Sequence, residues 1–205
     1  MKAVTLRGVA VLLFTAALAG CSVAPKVQMT DAVETAVWKQ HQQVMMAYDD
    51  WSLYAKVSFR QGNKINTAQM NWTQKQQDYD IQLSGPFGQG GARIYGTEGY
   101  VRIDIAGEGS YSAVSPERLV YKTLGLTLPV SQIIYWVRGI PSPEEPYTPF
   151  IEQNQLKNLH QSGWQIEYLR YADNGKLTLP SKLKLVNDDL QIAMVIKSWS
   201  DQTID

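Results

Sequence analysis

Trp51-Ser52-Leu53-Tyr54-Ala55-Lys56-Val57-Ser58-Phe59-Arg60 decides the fold class. Trp51, Leu53, Ala55, Val57 and Phe59 alternate with Ser52, Tyr54, Lys56, Ser58 and Arg60. Successive side chains of a strand point to opposite faces, so this stretch reads as a strand with one buried face and one wet face. The period persists downstream. After a turn at Gln61-Gly62-Asn63-Lys64, Ala68, Met70 and Trp72 alternate with Thr67, Gln69, Asn71 and Thr73. Tyr79, Ile81 and Leu83 then alternate with Asp80, Gln82 and Ser84. Beyond Gly85–Gly91 come Ala92 to Tyr95 and then Val101, Ile103 and Ile105. Short strands separated by turns predict an antiparallel meander.

Strands resume near Tyr147. Trp164, Ile166 and Tyr168 form one alternating set, Asp173-Asn174-Gly175 supplies a turn, and Leu183 and Leu185 form another set. The last segment, Leu190 to Trp199, has apolar residues at both parities, which predicts a strand covered on both faces.

Three helices interrupt this pattern. Asp31 followed by Glu34 resembles a capping box, and Val33, Val37, His41, Val44, Met45 and Tyr48 recur at helical spacing. A helix over about 32–48 follows. Ser115-Pro116 opens a second one, with Leu119, Val120 and Leu124 along one side and Gly125 as its stop. Pro129 begins a third, strongly apolar helix bearing Val130, Ile133, Ile134, Trp136 and Val137; Gly139 and the Pro141-Ser142-Pro143 loop end it.

The first twenty residues read as an export signal. Lys2 and Arg7 precede an apolar run from Val9 to Leu18, and Leu18-Ala19-Gly20-Cys21 follows at once. The run is short for a spanning helix, which needs roughly 20 apolar residues. The tetrapeptide matches the bacterial lipobox, which makes Cys21 the expected lipid anchor; the alternative is a secretory signal with a chance cysteine. Cys21 is the only cysteine of the chain, so no disulfide framework is expected. The signal holds two of the 19 basic residues and none of the 19 acidic ones, so the remaining chain carries a net charge of −2. Such a chain has no electrostatic basis for binding nucleic acid. Ser22 to Thr30 reads as a tether.

Catalytic patterns are sparse. His41 and His160 are isolated, and Asp49-Asp50, Glu144-Glu145 and Asp188-Asp189 fall at element ends or in loops. There is no HExxH, GxSxG or phosphate loop. Gly88-Gln89-Gly90-Gly91 leads into a strand, so it offers no helix N-terminus to a phosphate. No enzyme, cofactor or metal is expected. Phe87 breaks the local rules, since it stands in the Gly- and Pro-rich Ser84–Gly91 turn. Two readings stay open: a side chain folded back onto the sheet edge, or an exposed apolar tip that touches a bilayer. The abundance of apolar and aromatic residues fits a fully packed core first and an apolar cavity second.

Several segments taken in order resemble the LolB family of outer-membrane lipoprotein receptors. They are Trp38-Lys39-Gln40-His41-Gln42-Gln43, Asn71-Trp72, Tyr79-Asp80-Ile81-Gln82-Leu83 and Gly85-Pro86-Phe87-Gly88. Leu128-Pro129-Val130, Trp136-Val137-Arg138-Gly139-Ile140-Pro141, Pro180–Leu185 and Ile192–Lys197 complete the set. The resemblance implies a mainly β, α+β fold: an incomplete antiparallel β-barrel closed by short helices over a hydrophobic cavity. It implies a signal peptide over 1–20, a lipidated flexible tether over 21–31 and one LolA/LolB-like lipoprotein-binding domain over 32–205. It further implies a monomer at the periplasmic face of the outer membrane, a destination that Ser22 after the cysteine permits in enterobacterial sorting. The expected partners are the periplasmic carrier LolA, the acyl chains of cargo lipoproteins and outer-membrane lipid. Pro86, Phe87 and Gly88 fall on the family's membrane-insertion loop, where Leu is the more familiar tip. Ile94, Ile103, Leu119, Leu124, Ile133, Ile134, Trp136 and Val137 are the candidates for lining the acyl cavity. The rival readings are an envelope scaffold lipoprotein with a filled core and a carrier of small apolar ligands.

Overall fold

The first and last strands of the chain pair with each other in the middle of one sheet. The structure, a computed structural model, describes residues 36–85, 90–143 and 145–201. Cys21, the tether and Pro86, Phe87 and Gly88 lie outside the described residues, as do 32–35 of the predicted first helix. Eleven strands form one antiparallel sheet in the order β6-β5-β4-β3-β2-β1-β11-β10-β9-β8-β7. β1 (Asp50–Gln61), β2 (Lys64–Lys75), β3 (Asp78–Ser84), β4 (Gly91–Thr97), β5 (Tyr100–Ile105) and β6 (Gly109–Ala113) form one wing. β7 (Tyr147–Glu152), β8 (Gln155–Gln161), β9 (Trp164–Asp173), β10 (Thr178–Val186) and β11 (Gln191–Asp201) form the other. β6 and β7 are edges and do not pair, so the sheet is not closed. Pro149 stands in edge strand β7, where a missing N–H costs no interior ladder bond.

Trp51, Leu53, Ala55 and Val57 are buried on the face that the helices cover. Across β11 they meet Asp201, Trp199, Ile196 and Met194. The register steps from Tyr54↔Ser198 to Ala55↔Ile196, so Lys197 has no partner on β1. This bulge changes the parity of β11. Ile192, Met194, Ile196 and Trp199 therefore share the covered face, although their numbers differ in parity. The predicted two-sided burial of β11 is not observed, since Ala193 and Val195 on the open face are only half-buried. Trp51 packs between Trp72 and Trp199, with ring centroids 5.2 Å apart in each pair.

α1 (Ala36–Ala47) buries Trp38 and Met45. α2 (Pro116–Leu124) starts as its sequence predicts: the Ser115 side chain accepts from Arg118 N, and Pro116 follows at the first helical position. Gly125 ends it with φ 66°, a left-handed conformation that glycine adopts without strain. α3 (Val130–Trp136) follows after a short link. The Glu117 carboxylate accepts from Ser131 N (2.9 Å) and Ser131 Oγ (2.7 Å), tying the start of α2 to the start of α3.

Two buried polar side chains hold the region after α3. Gln161 accepts from Trp136 Nε1 (2.8 Å) and Ser142 N (2.9 Å) and donates to the carbonyls of Ser142 and Glu145. Arg138 is 3% exposed. It donates to the carbonyls of Met45 (2.8 Å), Tyr48 (2.7 Å) and Ile134 (3.0 Å), and its guanidinium lies over the Tyr135 ring. Burial lowers its pKa from the ordinary arginine value. Carbonyls at a helix C-terminus carry partial negative charge, so the end of α1 stabilises the cation alongside the nearby Asp49 carboxylate.

Arg138→Met keeps the length of the side chain and leaves three carbonyls without their donor. Urea unfolding should show a loss of about 3 kcal/mol. Arg138→Lys should recover less than half, because one ammonium does not reproduce the fork. Deleting Lys197 removes the bulge yet leaves Ile196 opposite Ala55 and Trp199 opposite Leu53, so Trp199 stays on the covered face and the expected loss is under about 1 kcal/mol. Lys197→Ala keeps the bulge and should stay within about 0.5 kcal/mol of the parent in the same titration.

Candidate functional site

Beneath α2 and α3 lies a cleft lined only by apolar side chains. Its floor is built by strand residues of the covered face: Val57 and Phe59 of β1, Met70 and Trp72 of β2, Ile81 and Leu83 of β3, Ile94 of β4, Leu185 of β10, and Ile192 and Met194 of β11. Its roof is built by Val120 and Leu124 of α2, Leu126 and Leu128 of the link, and Val130 and Ile133 of α3. Val120 and Leu124 are four residues apart, so both point to one side of the helix. The cleft measures about 90 Å³. That is room for roughly three water-sized groups, well under the 300 Å³ at which ordinary ligand pockets begin.

The predicted lining residues divide into three groups. Ile94, Leu124 and Ile133 line the cleft. Ile103, Leu119, Trp136 and Val137 are buried in the closed core away from it. Ile134 lines a neighbouring cleft of about 190 Å³, shared with Gln74, Tyr79, Glu98, Ser131 and Tyr135. That second cleft is half polar. Tyr79 lies across Gly96, where a Cβ would come 2.5 Å from its hydroxyl. Burial, with nearby Glu117 adding, pushes the Tyr79 hydroxyl up to about 12. Trp72 Nε1 donates to Gln74 Oε1, and Gln74 Nε2 donates to the carbonyl of Gln76.

Sequence reading missed most of the floor. Its residues come from strands more than a hundred positions apart, brought together because β1 pairs with β11. Alternation marks each as inward-facing, yet nothing local says which inward residues lie under α2. Leu126 and Leu128 carried a faint signal, as apolar residues two apart between the predicted helices.

The histidines are apart. His41 is stacked on Trp38 with centroids 5.4 Å apart, and burial lowers its pKa from the ordinary value. His160 lies on β8. Among the described residues no group of three or more His, Cys, Asp or Glu is placed to hold a metal ion. No helix among them is long and apolar enough to cross a membrane. The cleft under α2 and α3 offers burial of apolar groups as its chemistry.

The fold is shared with solved structures of distant sequence. A DUF1329-family protein from Desulfovibrio piger superposes with TM-score 0.55 at 8% identity, covering 85% of this chain and 95% of that one. A LolA-superfamily protein from Nitrosomonas europaea superposes with TM-score 0.50 at 6% identity, covering 82% and 93%. At sequence level the matches are much closer. Outer-membrane lipoprotein LolB of Pseudomonas paraeruginosa is 42% identical over 172 residues, 83% of this chain and 84% of that protein. LolB of Pseudomonas fluorescens is 38% identical over 201 residues, 97% and 98% of the two chains. The family model for outer membrane lipoprotein LolB matches residues 49–199, which runs from the residue before β1 to Trp199 in β11. With all of its sheet but the last two residues of β11 inside that match, the chain belongs to the LolB family of outer-membrane lipoproteins.

Proposed function

We propose that this protein receives acylated lipoproteins from a LolA-type periplasmic carrier and places them in the outer membrane. The observation that carries the reading is the cleft under α2 and α3, which has no polar lining residue, in a chain of the LolB family. Cys21 carries the lipid anchor, and the chain works as a monomer on the periplasmic face. Acyl chains passing between proteins must avoid water, since each methylene exposed costs about 0.8 kcal/mol. A cleft of about 90 Å³ does not hold such a chain. Uptake therefore needs the roof of α2, the Leu126–Leu128 link and α3 to lift from the sheet. Leu124, 48% exposed at the roof's edge, is the apolar residue an arriving chain meets first. Phe87, in the stretch of sequence that joins β3 to β4, enters the bilayer at delivery.

The small volume favours one rival, an envelope scaffold with a filled core. A transfer assay separates the two. The mature chain carrying Cys21→Ala is mixed with carrier loaded with a radiolabelled lipoprotein. Label should move onto this protein; label that stays on the carrier while this protein is folded supports the scaffold. Leu126→Trp fills the cleft and should cut the transferred label about tenfold, a loss of one to two methylene-sized contacts. Phe87→Glu should accept label as the parent does but deliver it to vesicles about tenfold more slowly, because a carboxylate resists entry into hydrocarbon. Delivery at the parental rate would remove Phe87 from the mechanism.

A further inference from the structure

The bulge that keeps Trp199 in the core has a second effect on the open face. It leaves Lys197 as an extra residue there, beside Ser198, opposite Tyr54 and next to Lys56. Lys56 and Lys197 line one basin of about 210 Å³ with Tyr54, Thr67 and Gln69. The polar groups around it are donors. Tyr54 Oη donates to Gln69 Oε1 at 3.0 Å, which fixes the amide and leaves the Gln69 NH₂ hydrogens unused. Thr67 Oγ1 and the two ammonium groups make no hydrogen bond or ion pair among the described residues. Lys182 faces the same side, since Val195 pairs with both Lys56 and Lys182. On the open face of β1, β11, β10 and β9 the one carboxylate near this row is Glu167, which stands in register with Lys184.

We propose that the Lys56–Lys197 basin binds a phosphate group, carried by a lipid headgroup or free in solution. Two ammonium groups, a hydroxyl and an amide NH₂ suit a compact anion with several acceptor oxygens better than they suit a planar carboxylate, which has two. Lysine serves such anions as a point charge. The basin is wide enough for a phosphate with part of a headgroup and open enough for a membrane-borne one. It sits on the sheet face opposite the apolar cleft, so it stands or falls independently of acyl transfer.

The test uses the mature chain with Cys21→Ala, labelled for NMR observation of lysine side chains. Inorganic phosphate should shift the Lys56 and Lys197 ammonium signals and leave Lys75 and Lys122 in place. Vesicles of phosphatidylcholine with 30 mol% phosphatidylglycerol should then bind the parent about 30-fold more tightly than the K56M/K197M variant, at about one unit of binding energy per lysine. The K75M/K122M variant removes equal charge elsewhere and should bind as the parent does. Phosphate shifts with equal vesicle binding by all three proteins would assign the basin to soluble phosphates. Phosphate that moves neither signal, with vesicle binding unchanged in K56M/K197M, would overturn the proposal and turn attention to an acidic protein face. Near-UV circular dichroism checks that each variant is folded.

Discussion

The two edges of the sheet, β6 and β7, do not meet, and everything placed between them in sequence follows from that. A closed barrel buries its inner face on itself. An unclosed sheet leaves a continuous apolar face that other elements must cover. The chain answers with the segment between β6 and β7, which forms α2, α3 and the loop to Tyr147. Glu117 binds the two helices at their starts through Ser131. Gln161 ties Trp136 of α3 and pins the following loop through three further hydrogen bonds. The cover is thus held by polar ties at its ends and apolar contact in its middle, where the cleft lies.

Arg138 shows how the remaining helix is recruited. A buried charge ordinarily needs a carboxylate. This one is held by carbonyls from the end of α1 and from within α3, and by the Tyr135 ring. Each donated bond satisfies a group that would otherwise be unpaired, so the cation and the helix ends solve each other's problem. The consequence is directional. α1 is tied near its C-terminus to the chain just after α3. Further along, Tyr48 donates to Asp201, which also pairs with Lys176, so the junction of α1 with β1 is fastened to the end of β11.

Much of this was legible in the sequence, and the reasons for the rest are physical. Period-two alternation located β1 to β5, and Ser115-Pro116 with Gly125 bounded α2, because these signals are local. β6, Gly109-Ser110-Tyr111-Ser112-Ala113, has almost no apolar alternation; it is an exposed edge strand held by pairing with β5. β8 was likewise silent. The parity of β11 misled, because a bulge is one residue of excess relative to a partner strand about 140 positions away, and no local pattern records it. The apolar face of α2 was visible, but the choice between Leu119 and Val120 for the cleft was not. Both are buried; they differ only in which neighbours they meet. Arg138 entered only as one residue of the family-like stretch 136–141, and Gln161 gave no signal, since a polar residue becomes structural only through the carbonyls the fold brings to it.

The near-closed state of the cleft bears on how the proposed acyl receptor would be built. A dry cavity large enough for an acyl chain, about 400 Å³, would cost on the order of 10 kcal/mol at about 24 cal/mol per Å³. That approaches the whole stability of an ordinary domain, about 5–15 kcal/mol. A rigid barrel with a permanent cavity would bear that cost whenever it was empty. Here the sheet is open at one side and its cover is two short helices joined by the Leu126–Leu128 link, so the apolar faces of roof and sheet meet across a small cleft. On the proposed function the cost would fall at uptake, when an acyl chain's methylenes replace the contacts that the roof gives up. Binding would be weakened by the work of lifting the roof, which for a receptor that surrenders its cargo would be an advantage. On that reading, the device that keeps the empty protein folded would also keep the loaded one from holding too tightly.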